Sequence, residues 1–290
     1  MCINALERGA RAIIGDRAVD GCVGSVDYAL NKPNPIIQIF YLIIAGGGFI
    51  IYVTVGMYKY TPGPYMSVVH CYTGSALMFL CYYSFYKACT TDPGIIRDQT
   101  HSKQCKQNYQ FDEVMYTKEN ACETCKIDKP ARSKHCRVCD HCVEKFDHHC
   151  IWINNCVGGK NYKWFLSFLF LHILICAYGG VCGALIFFGE AHTIMTSGAT
   201  FVNTRTNEPI EYTLTMHLRY FFINQEKWFG LVVIICIVMS FVLTLFFGYH
   251  VNLAWNNETT NESMKKKDFK SSLDRELSIV KALIKESEEW

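Results

Sequence analysis

The sequence predicts an all-α membrane protein: four transmembrane helices, with a small cytosolic cysteine-rich domain between spans two and three. Three observations carry that expectation. Four long apolar runs lack Asp, Glu, Lys and Arg, basic residues are spread unevenly between them, and a dense Cys/His cluster lies on the basic side.

A bilayer core takes about 20 apolar residues per helix. Residues 36–58, 65–86, 164–188 and 229–249 each satisfy this. Residues 1–35 hold Arg8, Arg11 and Arg17 and no long apolar stretch, so a cytosolic segment without a cleavable signal peptide is expected. Leu6, Ala10, Ile13 and Ile14 are spaced for a short surface helix there. Thr61-Pro62-Gly63-Pro64 reads as a tight lumenal turn that makes 36–87 a transmembrane hairpin. Asp92-Pro93-Gly94 breaks the helix beyond Lys87, within a polar cytosolic linker over 88–121. Spans three and four occupy 164–249 with a lumenal loop between them, in which no site is evident. Gly179, Gly180, Gly183 and Ala184 in span three, and Gly46, Gly47 and Gly48 in span one, are expected where helices approach closely.

Cytosolic loops carry the excess of Lys and Arg. With four spans, both termini and the central loop share one side, and they hold 4, 13 and 7 of the 28 basic residues. That side is therefore the cytosol. A net charge of +2, with acidic residues interleaved among the basic ones, gives no phosphate-tracking surface and excludes nucleic acid as a partner. The cytosolic tail, 250–290, contains glycosylation sequons at Asn257 and Asn261 that this topology leaves unmodified. Lys265, Lys266, Lys267 and Lys270 lie within reach of the lipid bilayer. Leu273, Leu277, Val280 and Ile284 then recur at helical spacing, with Ser271 and Asp274 placed as a capping box for a short amphipathic helix.

The cluster itself, Cys122 to Cys156, has seven Cys and four His. Cytosolic thiols stay reduced, so this density reads as metal-binding or catalytic. Cys122/Cys125, Cys136/Cys139 and Cys139/Cys142 each have the two-residue gap that lets both thiolates hold one zinc ion. Two structural zinc sites use eight of the eleven residues and leave three. A cysteine nucleophile needs a base and an anion to orient it, and Asp147, His148 and Cys150 offer those types within four residues. Spacing leaves open whether His148 or His149 is the ligand. Trp152 and the nearby span three place the thiol at the membrane boundary, which suits transfer of an acyl group whose chain lies in the bilayer.

Cys122-x2-Cys125, Lys129-Pro130, Arg132, His135-Cys136-x2-Cys139-x2-Cys142, Asp147-His148-His149-Cys150, Cys156 and Asn161 together resemble the DHHC cysteine-rich domain of protein S-palmitoyltransferases. Asp92-Pro93-Gly94 resembles that family's DPG motif and Thr259-Thr260-Asn261-Glu262 its TTxE motif. The resemblance implies that a catalytic domain over 122–163, built of short hairpins, binds one zinc ion through Cys122, Cys125, His135 and Cys142. A second ion would take Cys136, Cys139, His149 and Cys156. Cys150 would carry the acyl group delivered by palmitoyl-CoA, His148 would be its base, Asp147 would orient His148, and His141 would be left on the surface. Trp152 would lie near the acyl-CoA thioester, and the TTxE segment would pack on the catalytic residues. Acceptors would be membrane-associated proteins with cytosolic cysteines, and the compartment would be the endoplasmic reticulum or Golgi. Ile151 departs from the family, standing where many members have Pro. The competing readings are a non-catalytic zinc-containing membrane adaptor, and a metal sensor or transporter. The latter would use polar groups within the spans, where His172 is the conspicuous candidate and is better explained as a hydrogen-bonded packing residue.

Overall fold

The computed structural model describes residues 16–198, 200–203 and 205–288. The surface helix expected around Leu6 to Ile14 lies outside the described residues. The chain divides into two compact units: residues up to Gln38, Cys89–Tyr162 and those from Val251 form one, and Ile39–Ala88 with Lys163–His250 form the other.

Helix α1 (Asp16–Asn31) precedes α2, which runs over Ile36–Tyr60 with a π-helical stretch at Tyr52–Met57. Next come α3 (Val69–Thr90), α5 (Tyr162–Thr196) and α7 (Lys227–Trp255) in the same unit for most of their lengths. Among the described residues, three helices are long and apolar enough to cross a membrane: Ile36–Tyr60, Tyr162–Thr196 and Lys227–Trp255. The expected second span is not among them. Residues 65–86 lack formal charge, but α3 carries His70, Tyr72, Thr73, Ser75, Tyr82, Tyr83, Ser84 and Lys87, which dilute its hydropathy. Its 22 residues form a helix, yet not one that qualifies on apolarity.

Small residues of α5 do pack against α7. A Cβ on Gly183 would lie 2.5 Å from Val233 Cγ2, and those on Gly179 and Gly180 would press on Cys236 and Ile237 at 3.2 and 3.0 Å. Gly47 and Gly48 face open space instead. His172 is a packing residue, with Nε2 2.6 Å from the Tyr41 hydroxyl and Nδ1 2.7 Å from the Phe168 carbonyl.

The cysteine-rich unit holds the short hairpins expected of it, so the fold as a whole is mostly, not purely, helical. After α4 (Gln99–Lys106), which interrupts the linker and is capped by Asp98, the chain forms β2 (Ala121–Cys122), β3 (Ile127–Asp128), β4 (Lys134–Cys136), β5 (His141–Val143), β6 (His148–Cys150) and β7 (Asn155–Val157). These make antiparallel hairpins β2–β3, β4–β5 and β6–β7. A further strand, β1 (Ile95–Ile96), joins β5 through Ile95↔Val143 and Ile96↔Cys142. The Asp92-Pro93-Gly94 motif delivers it there. Asp92 Oδ1 accepts from the Gly94 and Ile95 N–H groups, both at 2.8 Å, and Gly94 has φ +108°, a conformation that favours glycine. Gly158 lets the same loop close, because a Cβ there would meet the Pro93 carbonyl at 2.4 Å. In the lumenal-loop region, β8 (Phe201–Val202) pairs with β9 (Pro209–Ile210), followed by α6 (Leu214–Arg219).

The tail is one helix, α8 (Thr260–Glu288), longer than the short one expected. Its capping box is at Thr259 and Glu262, because helix runs straight through Ser271 and Asp274. Thr259 N–H donates to Glu262 Oε2 at 2.9 Å and Glu262 N–H to Thr259 Oγ1 at 3.2 Å.

Candidate active site

Each Cys-x2-Cys turn closes in the same way. Lys126 N–H donates to the Cys122 carbonyl and Asp140 N–H to the Cys136 carbonyl, both at 2.9 Å, and Lys126 and Asp140 adopt positive φ of 54° and 55°. The turn points two thiolates at one spot, and a third Cys and a His arrive from the neighbouring hairpin. Two groups result: Cys122, Cys125, His135 and Cys142, and Cys136, Cys139, His149 and Cys156. All ligand atoms of a group lie within 4.8 Å of one another. His135 Nδ1 is 3.6, 3.3 and 3.9 Å from the sulfurs of Cys122, Cys125 and Cys142. His149 Nδ1 is 3.8, 3.3 and 3.8 Å from those of Cys136, Cys139 and Cys156. A tetrahedral zinc ion with ordinary bond lengths separates its N and S ligands by about 3.6 Å. The donor sets fit two zinc ions.

Strand β6 sorts the residues that spacing left open. Successive side chains of a strand point to opposite faces, so His149 turns to the metal group while His148 and Cys150 share the other face. The hairpin sets the register, with His148↔Val157, His149↔Cys156 and Cys150↔Asn155. Asp147 is 2% exposed, and its Oδ2 lies 2.6 Å from His148 Nδ1. Cys150 is buried, and its thiol interacts with the same imidazole.

Helix α8 holds the carboxylate from the other side. Thr260 N–H donates to Asp147 Oδ1 at 2.7 Å and Thr260 Oγ1–H to Oδ2 at 2.9 Å. The first turn of a helix favours an anion. Glu262 in that turn accepts a two-pronged ion pair from Arg132, Nε to Oε1 at 2.6 Å and Nη2 to Oε2 at 2.7 Å, with the Tyr116 hydroxyl at 3.4 Å. The Arg132 carbonyl in turn accepts from Phe146 N–H at 3.0 Å, next to Asp147. A closed circuit of hydrogen bonds thus fixes Asp147.

Electrostatics follow from these contacts. Burial opposes ionisation of Asp147, but hydrogen bonds from His148 and Thr260 hold its carboxyl below the usual range. Burial likewise opposes a charged His148. The hydrogen bond to Asp147 and the interaction with Cys150 outweigh it, and the imidazole is pushed up to about 9. Glu262 is also held low against burial, chiefly by Arg132.

The other expected residues are placed as follows. Trp152 lies between β6 and β7 and is 47% exposed. His141, opposite Cys136 in β5, is half-buried rather than fully exposed, with its Nε2 shielded from solvent. Sequence reasoning missed Asn155, whose Nδ2 donates to the Cys89 and Thr91 carbonyls, each at 3.1 Å. It also missed Gln38, whose Nε2 reaches the Cys89 sulfur at 3.0 Å and the Ile153 carbonyl at 3.2 Å. Both amides hold the turn beyond Cys150, and no spacing rule marks such clamps.

A family model described as DHHC palmitoyltransferase matches residues 115–267. The chain is 34% identical over 264 residues to "Palmitoyltransferase swf1" of Schizosaccharomyces pombe, covering 88% of this chain and 67% of that protein. It is 30% identical over 263 residues to "Palmitoyltransferase ZDHHC4" of Bos taurus, covering 90% and 76%. This chain belongs to the DHHC palmitoyltransferase family. It is a protein S-palmitoyltransferase and a membrane protein, and the adaptor reading is not retained. In this palmitoyltransferase the TTxE segment has a definite physical content: Thr259 caps α8, Thr260 binds Asp147, and Glu262 anchors Arg132.

A Thr260→Val substitution removes one hydroxyl donor from a buried carboxylate and leaves the backbone N–H in place. Such charge-assisted bonds contribute about 1.5–3 kcal/mol, so acyl loading is expected to slow about tenfold or more with zinc content unchanged. Single-turnover loading beside metal analysis checks this. Unchanged loading would remove Thr260 from the site.

Proposed function

We propose that the palmitoyltransferase works by two successive thioester exchanges through Cys150, with His148 as the proton carrier and Asp147 as the residue that orients it. The observation that carries this reading is the Asp147–His148 hydrogen bond, with Cys150 two residues along the same face of β6. In the first half, His148 already holds the Cys150 proton as an imidazolium, and the Cys150 thiolate attacks the carbonyl carbon of palmitoyl-CoA. The C–S bond to CoA breaks, and the departing CoA sulfur receives that proton. In the second half, an acceptor cysteine gives its proton to His148 and attacks the acyl-Cys150 carbonyl, and Cys150 leaves and is reprotonated. Asp147, held low, stabilises the imidazolium in each half and fixes Nδ1, so that the other ring nitrogen serves the sulfur.

Zinc supplies structure when bound, since each group offers four protein ligands and leaves no open position. In the second group, His149 and Cys156 tie together the two facing strands of the β6–β7 hairpin. Trp152, exposed beside Cys150, is assigned to the thioester end of the donor. Acceptors are membrane-associated proteins with cytosolic cysteines.

The same reading takes α3 as a fourth span, with both termini and the 122–163 catalytic segment in the cytosol of the endoplasmic reticulum or Golgi. Its 22 residues reach about 33 Å, enough for a bilayer core. The basic bias of the loops supports this orientation. Asn257 and Asn261 then stay unglycosylated, and a glycan on either would invert the topology.

A two-stage exchange predicts a burst of CoA when purified protein meets palmitoyl-CoA without acceptor, one CoA per chain. Release that needs acceptor from the start would rule out the acyl-enzyme.

A further inference from the structure

Every residue of α8 from Lys266 to Ser287 is exposed. About 33 Å of helix is therefore exposed on every face. Most helical stability in proteins comes from packing of an apolar face, and this helix is not polar all round. Phe269, Leu273, Leu277, Val280, Leu283 and Ile284 fall within a stripe about 120° wide, and they are 49, 48, 52, 50, 60 and 51% exposed. The stripe is wider than the two-position seam of a coiled coil. It has the breadth of a helix half-sunk in a surface.

The charges choose the surface. Lys270 and Lys281 border the stripe on one side, with Lys267 farther round the same flank. Asp274 sits among them and Glu276 interrupts the stripe between Leu283 and Phe269, while Asp268 and Glu286 lie beyond the opposite border. Lys265 is engaged elsewhere, 4.3 Å above the Tyr116 ring, and Lys266 pairs with Glu258 at 3.4 Å. Chain connectivity keeps a bilayer at hand. Membrane-capable α7 ends at Trp255, which is 88% exposed, and α8 starts five residues later, a reach of at most about 18 Å.

We infer that residues 266–287 form a docking helix for an anionic lipid surface, its apolar stripe among the acyl chains and Lys267, Lys270 and Lys281 at the headgroups. The inference is independent of the chemistry assigned to Cys150. Each lysine near an anionic surface adds about fivefold to binding, so three together contribute on the order of a hundredfold.

The test is amide hydrogen exchange of 266–287 in the full chain, reconstituted at one copy per nanodisc in phosphatidylcholine alone or mixed with phosphatidylserine. Exchange is expected to slow at least tenfold in the anionic discs. The Lys267→Gln/Lys270→Gln/Lys281→Gln chain should lose that slowing, and so should Leu273→Asp/Leu277→Asp, with the Thr260 amide unchanged in both as the control for folding. Exchange that ignores lipid charge would overturn the proposal. So would slowing confined to discs with two copies, which would assign the face to a second copy of the chain.

Discussion

A Cys150→Ser chain keeps two zinc ions and its fold, and takes up no acyl group from palmitoyl-CoA. Sulfur-to-oxygen exchange barely alters volume at this buried position, and Cys150 is outside both metal groups, so the β6–β7 hairpin persists. What is lost is the only thiol on the His148 face of β6. A serine hydroxyl surrenders its proton far less readily, and removal of a nucleophile from a working unit costs on the order of 10⁴-fold or more. Hydroxylamine-sensitive labelling and metal analysis on one preparation check both halves of the expectation. Equal labelling of wild type and variant would place the nucleophile elsewhere.

The second large effect separates two neighbouring kinds of histidine. His135→Ala removes one of four donors from the first metal group and also breaks into β4, where His135 pairs with Cys142. Structural zinc contributes roughly 10–16 kcal/mol to folding in small zinc modules, comparable with the whole stability of a domain. The chain is therefore expected to hold one zinc ion instead of two and to lose cooperative thermal unfolding of the cysteine-rich unit. His148→Ala touches no ligand. It should retain both ions and the melting transition while acyl loading falls by about 10²–10⁴-fold, the usual worth of a positioned base. If both variants lost zinc alike, the division between holding and reacting residues would collapse.

Much of this arrangement was legible from residue spacing. The two-residue gaps between cysteines dictate paired thiolates, and counting ligands against donors exposes a surplus at 147–150. The choice between His148 and His149 was not legible, because it depends on a strand only three residues long whose alternation sorts them. Despite the absence of formal charge over 65–86, α3 is less apolar than the three membrane-capable helices, since its polarity lies in tyrosines, serines, threonines and a histidine. In the tail, Ser271 and Asp274 match a capping pattern but lie inside the helix. The working cap is Thr259 with Glu262, where the side chains meet Asp147 and Arg132 as well as the backbone. Local pattern finds candidate caps, and long-range contacts choose between them. Asn155 and Gln38 escape pattern altogether, for each matters through a carbonyl distant in sequence.

The most direct test of the central claim is mass mapping of the acyl-enzyme. Wild-type protein is mixed with palmitoyl-CoA for a single turnover without acceptor, quenched in acid and digested. The predicted result is one palmitoyl group per chain, on Cys150, released by neutral hydroxylamine. A palmitoyl group found first on another cysteine, or complete transfer to acceptor with none ever on Cys150, would contradict it.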